Sequence, residues 1–199
     1  MVGYLLSFLS NNKLFLQASS NPSPPGFIHI MSRHWTGFVA WAPDKIQRIY
    51  TGSAFAALSF NFRPRTVLIK HLDHNNLSWG WCSITPLGNF DANKGGHLVL
   101  WDLGLIIWFP RGSSILIPSA MIKHSNTPIG EGETRYSFTQ YSASGLFRWV
   151  DNGFITDNKW LANASNVDKA QREEKQKTRW LEGLKMLSHI SEFRLWTLC

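Results

Sequence analysis

Two histidines, one carboxylate and one arginine are the residues of this sequence whose types and spacing can do chemistry. His71 and Asp73 are separated by a single residue, His124 follows much further along the chain, and Arg135 comes after it. Residues i and i+2 of a strand share a face, so His71 and Asp73 point the same way. Two imidazoles and one carboxylate can bind one face of a metal such as Fe(II) and leave its other positions open. The pattern predicts a metal site with room for further ligands.

Arg135 and Ser137 lie on one predicted strand and offer a place for a carboxylate. The planar fork of an arginine pairs bidentately with a carboxylate, and Ser137 shares the strand face and can add a hydrogen bond. A buried guanidinium needs an anionic partner, which is either a structural Asp or Glu or the carboxylate of a bound co-substrate. We expect Arg135 to lie deep in the fold without a structural acid beside it, facing the metal site.

In these motifs the chain resembles the 2-oxoglutarate- and Fe(II)-dependent dioxygenases. The resemblance extends over residues 50–155 and is closest to the TET/JBP-type oxygenases, in the form found in a fungal group of that superfamily. The matching elements follow the order of the family and are His71-x-Asp73, the Gly95-Gly96 pair before a strand, His124 and Arg135-x-Ser137.

The resemblance implies an iron site and a co-substrate site. His71, Asp73 and His124 would hold Fe(II), and no residue beyond these metal ligands would be catalytic. Arg135 and Ser137 would bind 2-oxoglutarate, and dioxygen would be the second co-substrate. The implied activity is the oxidation of a methylated nucleic-acid base, which must leave the base stack to be reached in a duplex.

Two other functions remain open at the level of the sequence. One is the same chemistry on a protein side chain, as in prolyl hydroxylase-like enzymes, whose co-substrate contact is often a lysine, so that Arg135 favours the first function. The other is a barrel that binds without turnover, which the complete set of metal ligands disfavours. Conversion of 2-oxoglutarate to succinate separates the enzymes from the binding module.

Two further histidines are alternatives to the chosen ligands. His74 follows Asp73 directly but points the other way in a strand, together with Asn76, whose neutral amide is a poorer iron ligand than a carboxylate. His97 comes after the Gly95-Gly96 pair and is interpreted as a structural or rim residue. The glycine pair is either a turn or a place where the backbone passes close to the barrel opening.

The composition is that of a globular protein with a surplus of basic residues. Hydrophobic residues make up 44% and charged residues 17%, which excludes an intrinsically disordered chain. The net charge is +7, and the first 72 residues hold seven basic residues and one acid, a balance that favours a nucleic-acid partner. Two cysteines give no disulfide framework. Without a signal peptide or an apolar run long enough to span a membrane, we expect an intracellular protein, nuclear or cytoplasmic, without a membrane partner.

The pattern of the chain predicts a mainly β, α+β fold. Short segments rich in β-branched and aromatic residues alternate with turn residues over residues 53–150, which predicts a double-stranded β-helix, or jelly-roll, barrel. Two of its strands are predicted at residues 65–72, which would deliver His71 to the barrel mouth, and at residues 145–150.

The two ends of the chain are predicted to be less regular or helical. Residues 1–52 are interpreted as an irregular N-terminal segment that packs on the barrel and contains a short helix near residues 43–50. Residues 151–199 are interpreted as a helical extension. Its main helix is predicted between residues 165 and 190, with Ser165 and Asp168 forming a capping box at its start.

Overall fold

The computed structural model describes residues 26–44 and 53–185 of the chain. The predicted α+β class is confirmed, since strands dominate the middle of the described part and helices flank it. In chain order the helices and strands are α1 (Gly26–Trp41), β1 (Ala57–Asn61), β2 (Cys82–Asn89), β3 (Leu98–Leu100), a 3-10 helix (Trp101–Leu103), β4 (Leu105–Ile107), β5 (Ile115–Ile117), β6 (His124–Asn126), β7 (Thr134–Tyr141), α2 (Ser144–Asp151), α3 (Asp157–Asn163) and α4 (Asn166–Lys185).

The strands form two antiparallel sheets. The larger sheet has the order β1-β7-β2-β5 and the smaller sheet the order β4-β3-β6. The long strands β2 and β7 form the centre of the larger sheet, and Leu87 pairs with Tyr136 in their register. Closure of the two sheets into a complete jelly-roll barrel stays a prediction.

The main hydrophobic core lies between the two sheets. Ile117 of β5 and Leu100 of β3 are fully buried, and one cluster contains side chains of both sheets. Full burial of a side chain of this size stabilises a fold by about 1.5–3 kcal/mol. The two sheets therefore pack face to face through the residues that alternate inward along each strand.

The segment of residues 65–71 links the two sheets and replaces a predicted strand. The prediction of a regular strand over residues 65–72 is wrong, because this segment makes only isolated bridges, Arg65 with Arg135 and His71 with His124. At its start Thr66 N donates to Arg135 O over 3.2 Å. One short segment is thus aligned first on β7 and then on β6, which carry the two predicted parts of the site.

The prediction of a strand at residues 145–150 is also wrong. These residues belong to α2, whose Phe147 is buried, with its ring centroid 5.6 Å from that of Trp79. A short apolar run does not distinguish a strand from a buried helix by its pattern alone. The contact that buries this helix is made with α1, which the sequence did not predict: Phe147 also packs on His34, with 4.5 Å between the ring centroids.

The terminal helices agree in part with the sequence. In the predicted capping box, Asp168 N donates to Ser165 Oγ over 3.1 Å and Ser165 N donates to Asp168 Oδ2 over 3.1 Å, so the predicted start of α4 is confirmed. Helix α1 was not predicted, and of the short helix expected near residues 43–50 the described residues 43 and 44 form a turn, whereas residues 45–50 lie outside the described part. No helix within residues 26–44 and 53–185 combines the length and apolar character that a membrane crossing requires.

Candidate metal and co-substrate site

His71 and His124 are joined by their backbones. His71 N donates to His124 O over 3.1 Å, and His124 N donates to His71 O over 3.0 Å. This reciprocal pair is the hydrogen-bonded pair of an antiparallel ladder, which holds two opposite side chains on one face. The ring centroids are accordingly 4.3 Å apart.

The same arrangement orients both imidazoles. His71 Nδ1 lies 2.7 Å from the carbonyl oxygen of Ile69, and His124 Nδ1 lies 2.9 Å from that of Ile122. A carbonyl oxygen only accepts, so each Nδ1 donates its proton and each Nε2 keeps its lone pair. This is the way in which metal-binding histidines have their tautomer and ring direction fixed.

Asp73 completes the cluster. Its Oδ1 lies 3.6 Å from His71 Nε2, which is longer than a hydrogen bond. One donor atom of each of His71, Asp73 and His124 lies within 4.8 Å of the other two. Ligands at right angles on a metal with bonds of about 2.1 Å are about 3 Å apart, so small side-chain movements would close the set around one ion.

Burial differs across the three residues. His124 is 2% exposed, whereas the side chains of His71 and Asp73 are 33% and 30% exposed. Burial lowers the pKa of His124 below its usual value, and the charge of His71 acts in the same direction. His124 is therefore neutral near pH 7, as a metal ligand must be, and the cluster is open to solvent from the side of His71 and Asp73.

Asn76 and Ser119, which the sequence analysis did not assign to the site, hold Asp73 in place. Asn76 Nδ2 donates to Asp73 Oδ2 over 3.2 Å and to Ser119 Oγ over 3.1 Å. Asp73 N donates to Ser119 O over 3.0 Å. Strand alternation predicts that Asn76 points away from Asp73, but the chain turns after Asp73. The sequence signal for that turn is an Asp followed three residues later by an Asn. In the structure the N–H of Asn76 donates to the carbonyl oxygen of Asp73.

Arg135 is buried in β7 at 2% exposure. Its Nε and Nη1 have no hydrogen-bond partner among the described residues, which is unusual for a buried charge. Burial lowers the pKa of Arg135 to about 10, so the side chain is still a cation near pH 7. A buried cation without a partner carries a large desolvation cost unless an anion reaches it.

The acid nearest to Arg135 in sequence is used elsewhere. Glu133 accepts hydrogen bonds from the backbone N–H groups of Gly130 and Asp91 over 2.7 and 2.8 Å. Beside Arg135 is instead an aromatic ring, since its guanidinium carbon is 6.0 Å from the ring centroid of Phe90. The surroundings of Arg135 thus supply apolar contact and leave its hydrogen-bond donors free.

Glycines allow the backbone to come close around this arginine. Gly88 pairs with Arg135 in the sheet, and a Cβ at Gly88 would be 2.4 Å from the oxygen of Thr134. A Cβ at Gly96 would be 2.7 Å from the ring of Phe90. Both glycines have positive φ, at 109° and 73°, where a Cβ is also strained.

The remaining predicted site residues take clear positions. Ser137 is buried on the same face of β7 as Arg135. His74 is exposed and is not part of the metal-ligand cluster. His97 lies directly before β3, and its N–H donates to Thr127 Oγ1 over 2.9 Å. Gly95 lies in a turn and also where two backbone segments come close together, because a Cβ there would be 2.2 Å from the backbone oxygen of Pro128.

The residues present fit a metal ion and an anionic co-substrate. The donor set is two imidazole nitrogens and one carboxylate oxygen, a combination that suits Fe(II) and leaves positions open. The unpaired donors of Arg135 fit a carboxylate. The roles of His71, Asp73, His124 and Arg135 in binding these groups stay predictions.

No family model matches this sequence, and no curated protein matches it significantly. The solved structure of NgTET1 in complex with 5mC DNA is similar at 15% identity and a TM-score of 0.40, over 57% of this chain and 47% of that chain. The chain therefore spans about half the length of that protein. The viral collagen prolyl hydroxylase vCPH from Paramecium Bursaria Chlorella virus-1, solved as a 2OG complex, is similar at 15% identity and a TM-score of 0.31, over 60% of this chain and 74% of that chain.

Proposed function

We propose that this chain is an Fe(II)- and 2-oxoglutarate-dependent dioxygenase. The observation that carries the proposal is the cluster of His71, Asp73 and His124, whose donor atoms lie within 4.8 Å of one another and whose two imidazoles bond to backbone carbonyls through Nδ1, which leaves Nε2 for a metal. The unpaired donors of the buried Arg135 add support from a separate strand. Together these residues provide a metal site with open positions and a cation that lacks an anion.

Each residue has a definite part in this proposal. His71 and His124 bind Fe(II) through Nε2, because their Nδ1 protons are donated to backbone carbonyls. Asp73 supplies the third ligand atom. Arg135 binds the carboxylate of 2-oxoglutarate remote from the metal, and Ser137 lies beside it on the strand. When bound, iron, 2-oxoglutarate and dioxygen supply the oxidation of a C–H bond, with succinate and carbon dioxide as co-products.

The proposed substrate is a methylated nucleic-acid base. Three features support it: the sequence resemblance to TET/JBP-type oxygenases, the arginine rather than lysine at residue 135, and the net charge of +7, which favours a phosphate backbone. A protein side chain is the second candidate. A barrel that binds without turnover is the third, and the complete cluster of possible metal ligands argues against it.

Turnover of 2-oxoglutarate tests the proposed chemistry. The protein is loaded anaerobically with Fe(II) and 2-oxoglutarate and exposed to air, and succinate is measured by mass spectrometry. Wild type should form succinate, and His71→Ala should not. The matched control is His74→Ala, which removes an exposed histidine next to the cluster and should keep the activity. Equal activity in both histidine variants would contradict the assignment of the metal site.

A second assay separates the substrates. Succinate formation is measured with duplex DNA containing 5-methylcytosine, with the same unmethylated duplex, and with proline-containing peptides. Stimulation by the methylated duplex alone, with oxidised base found in the digest, supports the nucleic-acid substrate. Stimulation by peptides alone would replace it with a protein side chain.

A further inference from the structure

Asn76 connects the candidate metal ligand Asp73 to the buried part of the fold. Its Nδ2 donates to Asp73 Oδ2 over 3.2 Å and to Ser119 Oγ over 3.1 Å, so both protons of one amide group are used. Its backbone N–H also donates to Asp73 O over 2.9 Å. The side chain of Asn76 is therefore fixed between two partners, one of which is the carboxylate.

Ser119 is the rigid end of this connection. It is 1% exposed, and its backbone oxygen accepts the N–H of Asp73 over 3.0 Å. Its backbone N–H donates to Ile117 O over 2.9 Å, at the end of β5 in the larger sheet. The amide of Asn76 is consequently anchored on the protein interior and not on a solvent-exposed loop.

The hydrogen bond makes the two oxygens of Asp73 different. Oδ2 accepts from Asn76, whereas Oδ1 lies 3.6 Å from His71 Nε2 on the side of the cluster. A carboxylate can bind a metal through one oxygen or through both. Binding through both would occupy a position that a co-substrate or dioxygen needs in a site with three protein ligands.

We propose that Asn76 is a positioning residue, which holds Oδ2 of Asp73 away so that Oδ1 alone binds the metal. This inference rests on the proposed function, since it takes His71, Asp73 and His124 as the metal ligands. Partners that hydrogen-bond to a ligand orient it, and their loss typically lowers metal affinity by about 10-fold to 100-fold.

Anaerobic titration with Co(II), followed by visible absorption, tests the inference without turnover. Asn76→Ala removes the amide, Asn76→Leu removes it while keeping the volume, and Asn76→Gln keeps the donor. Both Asn76→Ala and Asn76→Leu should bind Co(II) about 10-fold to 100-fold more weakly than wild type. Their bound spectrum should also change, because both oxygens of Asp73 become free to bind. Asn76→Gln should regain part of the affinity.

Asn75→Ala is the matched control. Asn75 is the neighbouring asparagine, with an exposed side chain, and its backbone oxygen accepts from Ser144 N over 2.9 Å regardless of the side chain. It should bind Co(II) like wild type. A thermal unfolding curve for each variant checks that the comparison is made on folded protein.

The outcomes separate the two proposals. Wild-type affinity and spectrum in both Asn76→Ala and Asn76→Leu would overturn the role of Asn76 and leave the proposed function standing. An equal loss in Asn75→Ala would also overturn it, because the effect would then belong to the turn as a whole. A wild-type protein that does not bind Co(II) would overturn the proposed function and this inference together.

Discussion

At the scale of single residues, Arg135 carries a free-energy cost of burial that the fold alone does not explain. A buried cation whose Nε and Nη1 lack partners among the described residues destabilises the protein, since its desolvation is not offset by a hydrogen bond. Its lowered pKa of about 10 has the same cause. Natural proteins keep such strain where activity requires it, and a binding site for an anion is the simplest reason here.

Replacing Arg135 with methionine should therefore stabilise the protein and abolish co-substrate binding. Arg135→Met keeps much of the length of the side chain and removes the unpaired charge. Replacing buried ion pairs by apolar residues of similar volume often raises the free energy of unfolding, by about 1–4 kcal/mol. Urea denaturation of the metal-free protein measures the change in the free energy of unfolding. A loss of stability in Arg135→Met would indicate that the arginine has a structural partner.

The fork of the arginine should matter as well as its charge. Arg135→Lys keeps the positive charge but loses bidentate pairing, so affinity for 2-oxoglutarate should fall. Arg135→Ala should lower it further, because breaking a buried, hydrogen-bonded charge pair typically costs about 3–5 kcal/mol. Anaerobic isothermal titration with metal present measures the 2-oxoglutarate affinity of both variants. The control is Arg111→Ala, which changes an exposed arginine that donates a hydrogen bond to Asn89. Unchanged affinity in Arg135→Ala would rule out the co-substrate site.

The thiol of Cys82 should be unreactive in the folded protein. Burial and, to a lesser degree, the charge of Asp73 raise its pKa from 9.0 to about 12, and the thiolate is the reactive form. As pH rises from 9 toward 12 the unfolded chain loses this proton before the folded one does, so this group lowers stability over that window. In a Cys199→Ser background, a disulfide reagent at pH 8 should modify Cys82 only as fast as the protein opens. Fast modification of native protein would contradict the burial of the thiol.

At the scale of elements, the pairing of β2 with β7 positions Arg135. Gly88 lies opposite it in register, with φ of 109° and space for no side chain, because a Cβ would be 2.4 Å from the oxygen of Thr134. The strand β7 can approach only because this residue is glycine. The position of the arginine thus depends on a residue of a different strand.

Gly88→Ala should destabilise the protein and weaken 2-oxoglutarate binding together. Backbone strain at positive φ costs about 1–3 kcal/mol, and the overlap with β7 adds about 1–3 kcal/mol. Gly104→Ala is the control, since Gly104 also has a positive φ, 62°, but a Cβ there meets nothing within 4 Å. It should cost the strain alone and leave binding unchanged. Urea denaturation midpoints and 2-oxoglutarate titrations of the two variants test this prediction. Equal losses of stability and of binding in Gly88→Ala and Gly104→Ala would contradict the close approach of β7 to Gly88.

The elements also show what the sequence could predict and what it could not. Alternating β-branched and aromatic residues were sufficient for strands such as β2 and β7, and the capping box at Ser165 was sufficient for the start of α4. The helical structure of residues 145–150 was not predictable from their pattern, because Phe147 is buried by contacts distant in sequence, with His34 of α1 and with Trp79. Asn76 was likewise assigned to the wrong side, since the turn that brings it to Asp73 breaks the strand alternation.

At the scale of the whole molecule, the site is assembled from distant parts of the chain. The segment of residues 65–71 pairs with β7 at one end and with β6 at the other, and it makes no regular strand of its own. Few backbone bonds hold it, so its stability is expected to be lower than that of the central sheet. A metal bound by His71, Asp73 and His124 would join this segment to the smaller sheet.

Metal and co-substrate should therefore stabilise the whole protein in a fixed order. A ligand that binds only the folded state at 100 times its dissociation constant adds about 2.7 kcal/mol, which corresponds to a rise in Tm of about 5–10 °C for a chain of this size. Anaerobic Mn(II) should give such a shift, and a chelator should reverse it. 2-Oxoglutarate should add a second shift with metal and little without it, because Arg135 then binds only one end of the co-substrate. The second shift should vanish in Arg135→Met and the first should remain. A full 2-oxoglutarate shift in metal-free protein would separate the arginine from the metal site and refute their joint role.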